Sequence, residues 1–142
     1  MAKVERSMTI NAPVEKVFNY IANPANEMEW FASISDIRDI KGQGVGQKYG
    51  YTFKMAGLPL KGESEVLEYA PNQRYVTESK GGISSSWTWT FSPEDGSTRV
   101  NVVVEYSIPI PVLGKAGERL ALGQIEREAD MAAANIKAIL EG

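Results

Sequence analysis

The sequence predicts an α+β domain in which a curved antiparallel sheet of about seven strands wraps a long C-terminal helix. Three observations carry this expectation. Short runs of alternating apolar and polar residues fill the chain from Ile34 to Ile108, and turn residues separate them. Consecutive strands with short turns form an antiparallel sheet. Helical spacing interrupts the strands only once, after the first. From Leu113 to Leu140 the period becomes helical, and that segment alone is large enough to cover an apolar sheet face.

Each element has its own signal. In Lys3 to Asn11, Val4, Arg6, Met8 and Ile10 alternate with Glu5, Ser7 and Thr9, which reads as a strand with one mostly apolar face. Asn11-Ala12-Pro13 opens a helix, with Asn11 or Ala12 near the N-cap and Pro13 in the first turn. Val14, Val17, Phe18 and Ile21 form its stripe, and Asn23-Pro24 ends it. A second short helical stretch, Ala25 to Phe31, carries Met28, Trp30 and Phe31. Strands follow at Ile34 to Lys41, Gln47 to Met55, Leu58 to Tyr69, Arg74 to Ser79, Ile83 to Phe91 and Thr98 to Ile108. Glu94-Asp95-Gly96-Ser97 is a hairpin signal between the last two. Pro109 and Pro111 stop the final strand. The terminal helix spans about 40 Å at ~1.5 Å per residue. Its stripe is Ala121, Leu122, Ile125, Ala129, Ala132, Ile136, Ile139 and Leu140, opposite Arg119, Glu126, Arg127, Asp130 and Lys137.

The 142 residues contain no repeat and no linker, so residues 1–142 read as a single domain. A net charge of −3 disfavours a nucleic-acid footprint and a polybasic membrane patch. The absence of Cys and His removes disulfides, zinc fingers, Ser-His-Asp triads and His-ligated metals. A metal site built of carboxylates alone stays open; otherwise no metal and no cofactor is expected. No apolar run approaches the ~20 residues of a membrane span, and no signal-peptide pattern opens the chain. A cytoplasmic protein is the expectation.

Three stretches carry a family resemblance. The first is Ile10-Asn11-Ala12-Pro13-Val14-Glu15-Lys16-Val17-Phe18, with Ile21, Asn23-Pro24 and Trp30. The second is Gly44-Val45-Gly46-Gln47-Lys48-Tyr49, and the third is Ala133 to Glu141. With the Gly96-Ser97-Thr98-Arg99-Val100 hairpin, they resemble the START-like (SRPBCC) superfamily of helix-grip proteins. Within it they resemble the polyketide cyclase/dehydrase and lipid-transport type. The resemblance implies a seven-stranded sheet gripping the last helix, with a cavity between them for a lipid, polyketide or other apolar molecule. It transfers no catalytic signature.

The residues add detail to that cavity. Ala121, Ala129 and Ala132 fill little volume under a concave sheet. Trp87, Trp89 and Phe91 share one strand face, Tyr49, Tyr51 and Phe53 another, and Tyr106 lies on the last strand; they form core, pocket wall or both. The candidate ligand-binding set is Trp30, Tyr51, Phe53, Trp87, Trp89, Tyr106, Glu118, Leu122, Ile125 and Ala129. Glu118 falls on the apolar side of the helix. It either anchors a polar ligand group or acts as acid/base, or it snorkels to water near the helix start. Glu63 and Glu65 share a face with Leu67 and Tyr69, while Gly62, Ser64 and Val66 make an equally plausible inner face. Gly42-Gln43-Gly44-Val45-Gly46 leads from strand to strand, so it reads as a turn and not a phosphate loop.

The cavity mouth is expected among Met28, Trp30 and Phe31, the apolar hairpin tip Met55 to Leu60, and the segment Pro109 to Gly117. The apolar loops gate a pocket, close the sheet end or contribute to a homodimer. Three function classes follow. The first is a binder or carrier of a small hydrophobic molecule. The second is a polyketide cyclase/hydratase-type enzyme using a buried carboxylate. The third is an accessory subunit of an oxidoreductase, resembling one of the small subunits associated with carbon monoxide dehydrogenase.

Overall fold

A computed structural model describes residues 2–108 and 110–142. The elements run β1 (Ala2–Ile10), α1 (Val14–Ile21), a 3-10 turn (Pro24–Asn26), α2 (Glu27–Trp30), β2 (Ile34–Lys41), β3 (Lys48–Met55) and β4 (Leu58–Ala70). Then come β5 (Arg74–Lys80), β6 (Ser84–Glu94), β7 (Ser97–Ser107) and α3 (Ile110–Glu141). The fold is the expected α+β helix grip. One seven-stranded sheet has the order β1-β7-β6-β5-β4-β3-β2. Every neighbouring pair is antiparallel. From β2 to β7 the chain simply meanders. The one long connection joins β1 and β2, at opposite edges of the sheet, and the short helices lie on it.

Alternation sets the inner face of each strand. On β7, Thr98, Val100, Val102, Val104 and Tyr106 are buried. On β6, Ser85, Trp89 and Phe91 are buried and Trp87 is half-buried. On β4 the buried face is Ser64 and Val66, which leaves Glu63 to solvent. A bulge between Val66 and Glu68 then shifts the register. The extra residue turns Tyr69 inward, away from the face of Glu63 and Glu65 that strict alternation gives it. There Tyr69 meets Phe18 edge-on at 5.2 Å.

Two local readings are revised. The α1 N-cap is Pro13 itself, in extended backbone and with no side-chain cap, rather than Asn11 or Ala12. Asn11 instead donates its backbone N–H to Glu141 at 2.7 Å and accepts from Ser97 Oγ at 3.1 Å. The terminal helix is also broken: Gly114 has φ 74° and ψ 174°. A side chain resists that conformation, so the regular rod starts after Gly114 rather than at Leu113. Pro109, read as the stop of the last strand, lies outside the described residues, and β7 ends at Ser107.

The rod buries Ala121, Ile125, Glu128, Ala132, Ile136 and Leu140. That stripe is narrower than the sequence pattern gives. Leu122 and Ile139 fall at its margins and are 39% and 40% exposed. A helix facing a sheet covers only about a 100° arc, which excludes them. The rod is tied down along its length. Arg6 on β1 bonds Glu126 at 2.9 Å and Asp130 at 2.7 Å. Gln124 accepts from the Ala56 N–H at 2.9 Å and donates to the Lys54 carbonyl at 2.7 Å, which holds the β3–β4 hairpin. Near the C-terminus, Lys16 donates to the Leu140 carbonyl at 3.0 Å and Lys137 to that of Thr9 at 2.8 Å.

Candidate functional site

Among the described residues, two small voids lie between the sheet, α2 and the rod, and a third lies between the sheet, the 3-10 turn and α2. The first, about 40 Å³, is bordered by Glu27, Phe31, Ile34, Tyr51, Phe53, Ser64, Ser79, Ile83, Ser85, Trp87, Val104, Tyr106 and Ile125. The second, about 50 Å³, lies on the alanine side of α3 against Val4, Arg6, Met8, Trp89, Val102, Glu128, Ala129, Ala132 and Ala133. Trp30, Phe31, Trp87, Val104 and Ile125 complete its wall. A third, about 10 Å³, is bordered by Ile21, Pro24, Glu27, Trp30, Tyr49, Tyr75, Thr77, Trp87 and Trp89. Each of the larger two has room for about three waters, and the third for one at most. That is well below the ~300–1,000 Å³ of a typical ligand pocket.

The partition between the larger voids explains the small size. Phe31, Trp87, Val104 and Ile125 border both of them. The Phe31 and Trp87 ring centroids are 5.4 Å apart, and Phe31 meets Phe53 at 5.3 Å. Trp30 stacks on Phe31 at 5.7 Å and meets Trp89 at 5.6 Å. Aromatic side chains therefore occupy the centre of the grip. Trp87 is half-buried and packs against Trp30, Phe31 and Trp89.

The two larger voids differ in chemistry. The first is edged by hydroxyls and a carboxyl. Ser79 Oγ donates to the Ile83 carbonyl at 2.6 Å, which leaves Tyr51 to donate to Ser79 Oγ at 2.6 Å. The Ile83 N–H closes the ring on Tyr51 Oη at 3.4 Å. Gly62 makes room for this ring, since a Cβ there would lie 2.5 Å from Tyr51 Oη. The second void is apolar apart from Arg6, whose guanidinium is paired outside, and Glu128. The Glu128 carboxylate accepts from the Ser33 N–H at 2.9 Å and from Gln124 Nε2 at 2.6 Å.

Glu27 is the most perturbed acid of the interior. It is partly exposed as a residue and borders the first and third voids. Burial pushes its pKa up to about 7, and the hydrogen bond with Tyr49 pulls only partly back. The Tyr49 and Tyr75 phenols are pushed up in turn, by burial first and then by the Glu27 charge. Tyr51 and Tyr106 are also raised, chiefly by burial. Trp30 is 3% exposed, and its indole Nε1 has no hydrogen-bond partner. Leaving such a donor unpaired costs about 1–3 kcal/mol.

Of the residues singled out from sequence, Tyr51, Phe53 and Tyr106 border the first void, and Trp89 and Ala129 the second. Trp30 also borders the second, and Trp87 and Ile125 border both. Glu118 is half-buried in the early part of the rod, Leu122 is exposed, and neither borders these voids. Sequence reasoning missed Glu27, Glu128 and Ser79, whereas Ser64 falls on one of the two inner faces it offered for that strand. The one available signal for Glu27 is its position three residues before Trp30. A single helical turn puts both on one side, and Trp30 must face the core. Among the described residues, no group of acidic side chains is arranged to hold a metal ion. No helix among them is long and apolar enough to cross a membrane.

Comparison with solved structures agrees with the helix grip. The TTHA0849 protein of Thermus thermophilus superposes with a TM-score of 0.81 at 18% identity, covering 96% of this chain and 95% of that one. The Zhui aromatase/cyclase of Streptomyces gives 0.80 at 17% identity, over 99% and 93%. The Ara h 8.0201 protein gives 0.69 at 16% identity, over 98% and 97%. An uncharacterized protein of Mycobacterium tuberculosis is 30% identical over 108 residues. That match covers 73% of this chain but 47% of the relative, so the chain spans about half the length of the curated relatives it matches. The family model for polyketide cyclase/dehydrase and lipid transport matches residues 1–141. The chain therefore belongs to the polyketide cyclase/dehydrase and lipid-transport family.

Proposed function

We propose that this protein binds and carries a small hydrophobic molecule between the concave sheet and α3. The observation that carries the reading is the paired voids, hydroxyl-edged at one end and alanine-lined at the other, with only Phe31, Trp87, Val104 and Ile125 between them. Rotation of the half-buried Trp87 joins the voids into one amphipathic pocket. Burying an apolar ring there gains about 25 cal/mol per Å² removed from water. Trp30, Tyr51, Phe53, Trp87, Trp89, Tyr106, Ile125 and Ala129 form the proposed wall.

Titration with a fluorescent naphthalene-type probe tests this. The expected outcome is saturable binding with a blue shift, competed by small aromatic molecules, and tighter in Trp87→Ala than in the native protein. No binding in either protein overturns the reading. Native mass spectrometry of protein isolated from cells gives an independent check through any co-purified small molecule.

A second reading is favoured by Glu27. A carboxylic acid with a pKa of about 7 beside a hydroxyl-edged void is poised for acid–base chemistry of the cyclase or hydratase type. Glu27 takes the part that the sequence suggests for Glu118. Incubation of the protein with a poly-β-keto thioester tests it. Aromatic product formed by the native protein and lost in Glu27→Gln supports the enzyme. Equal conversion by the two overturns it.

A further inference from the structure

The polar groups of the interior are not equally free. The Tyr51 hydroxyl is committed to Ser79 and Ile83. The Glu128 carboxylate is committed to Ser33 and Gln124. Glu27 lies beside Tyr49, close enough for each to shift the other's titration. Among the described residues, the Trp30 Nε1 is the one buried side-chain nitrogen or oxygen without a partner. Trp30 borders both the alanine-side void and the small void beside Glu27. A phenylalanine would fill that wall without stranding a donor, so the buried N–H calls for an acceptor delivered from elsewhere.

Charge narrows the class of acceptor. Arg6 is the one cation bordering the three voids, and its guanidinium already pairs with Glu126 and Asp130. Glu27 and Glu128 are the other charged residues there. A carboxylate ligand would enter without a counter-charge and beside two acids, which is costly in a low dielectric. A neutral oxygen carries no such cost.

We propose that the ligand is a neutral molecule with an aromatic or alicyclic body and a ketone or ether oxygen, and that this oxygen accepts the Trp30 indole N–H. This rests on the cavity-binding reading and adds the ligand's head group and the residue that recognises it.

Three matched probes separate the two ideas: acetylnaphthalene, ethylnaphthalene and naphthoate, each titrated into native protein and Trp30→Phe. The ketone is expected to bind native protein about tenfold more tightly than its ethyl counterpart, the worth of one buried hydrogen bond. Naphthoate is expected to bind more weakly than the ketone. Trp30→Phe should reduce the ketone-to-ethyl affinity ratio from about tenfold to about one, whatever change in affinity the two probes share. In native protein the Trp30 indole proton resonance should move with the ketone and not with the ethyl compound. That readout decides the matter alone if the variant does not fold.

Equal affinity for ketone and ethyl probes, or a ketone preference that survives in Trp30→Phe, overturns the inference and leaves cavity binding standing. Naphthoate binding as tightly as the ketone also overturns it. Failure of all three probes to bind native protein overturns both ideas together. A Trp30 indole resonance unmoved by bound ketone marks the donor as satisfied by trapped water, and again overturns the inference.

Discussion

Glu27 couples the interior to pH in a calculable direction. Its folded pKa of about 7 lies above its ordinary value of 4.5. Between those values the unfolded chain has lost the proton that the folded protein keeps, so stability falls as pH rises. The loss is complete above the folded pKa and amounts to about 3 kcal/mol. Urea melts of native protein and Glu27→Gln should therefore differ by about 3 kcal/mol more at pH 8 than at pH 4, with the variant the more stable at pH 8. A difference independent of pH would show the carboxyl to be solvated. Glu141 acts in the opposite sense. Lys137 at 2.6 Å and the Asn11 N–H at 2.7 Å hold its pKa below the usual range. Its contribution is present above the ordinary carboxylate pKa and fades as pH falls through the folded value.

At the scale of elements, α2 and α3 depend on polar clamps rather than on length. A helix of four residues has no stability of its own. α2 is held because Trp30 is buried, because Asn135 donates to the Trp30 carbonyl at 3.3 Å, and because Glu29 accepts from Tyr20 at 2.8 Å. The adjoining Ser33 N–H rests on Glu128. Glu128→Ala strands that N–H and should destabilise the fold by about 1–3 kcal/mol in urea melts. It should also raise hydrogen exchange at Ser33 before the sheet opens. On β4, Gly62→Ala drives a Cβ to 2.5 Å from Tyr51 Oη and 2.7 Å from the Lys80 carbonyl. Backbone cannot yield there, so the expected cost is about 1–3 kcal/mol, with the Tyr51–Ser79 bond broken. A melt unchanged from native would place Tyr51 elsewhere.

The whole molecule is a sheet wrapped on a rod, with a small void left beside the rod's alanines. Ala129, Ala132 and Ala133 border the second void where larger side chains would close it. Ala132→Leu should fill the alanine-side void and raise stability by about 1 kcal/mol, read as a higher Tm. The same change should weaken naphthalene probe binding by at least about tenfold. Stability gained without loss of binding would separate the void from the ligand site. Arg6 gives a milder effect. Its ion pairs with Glu126 and Asp130 are largely exposed, so Arg6→Gln should change stability by less than about 1 kcal/mol, and less still at high salt.

The order of elements was legible in the chain because it rests on short-range patterns. Alternation in Val100 to Tyr106, the stripe of Val14, Val17, Phe18 and Ile21, and the turn at Glu94 to Ser97 report their own conformations. Most of the aromatic wall was legible for the same reason, since Trp87, Trp89 and Phe91 share a face by parity alone. Exceptions to periodicity were not. The β4 bulge reverses Tyr69, Gly114 breaks the rod, and the arc of α3 that meets the sheet takes in Glu128 and leaves out Leu122. The polar interior belongs to tertiary structure entirely. Glu27 is distant in sequence from Tyr49 and Tyr75, and only the closing of α2 over the sheet removes its carboxyl from water. Local sequence determines which side of an element is apolar. Which polar group is trapped beneath it, and which donor is left without a partner, depends on how the elements meet in space.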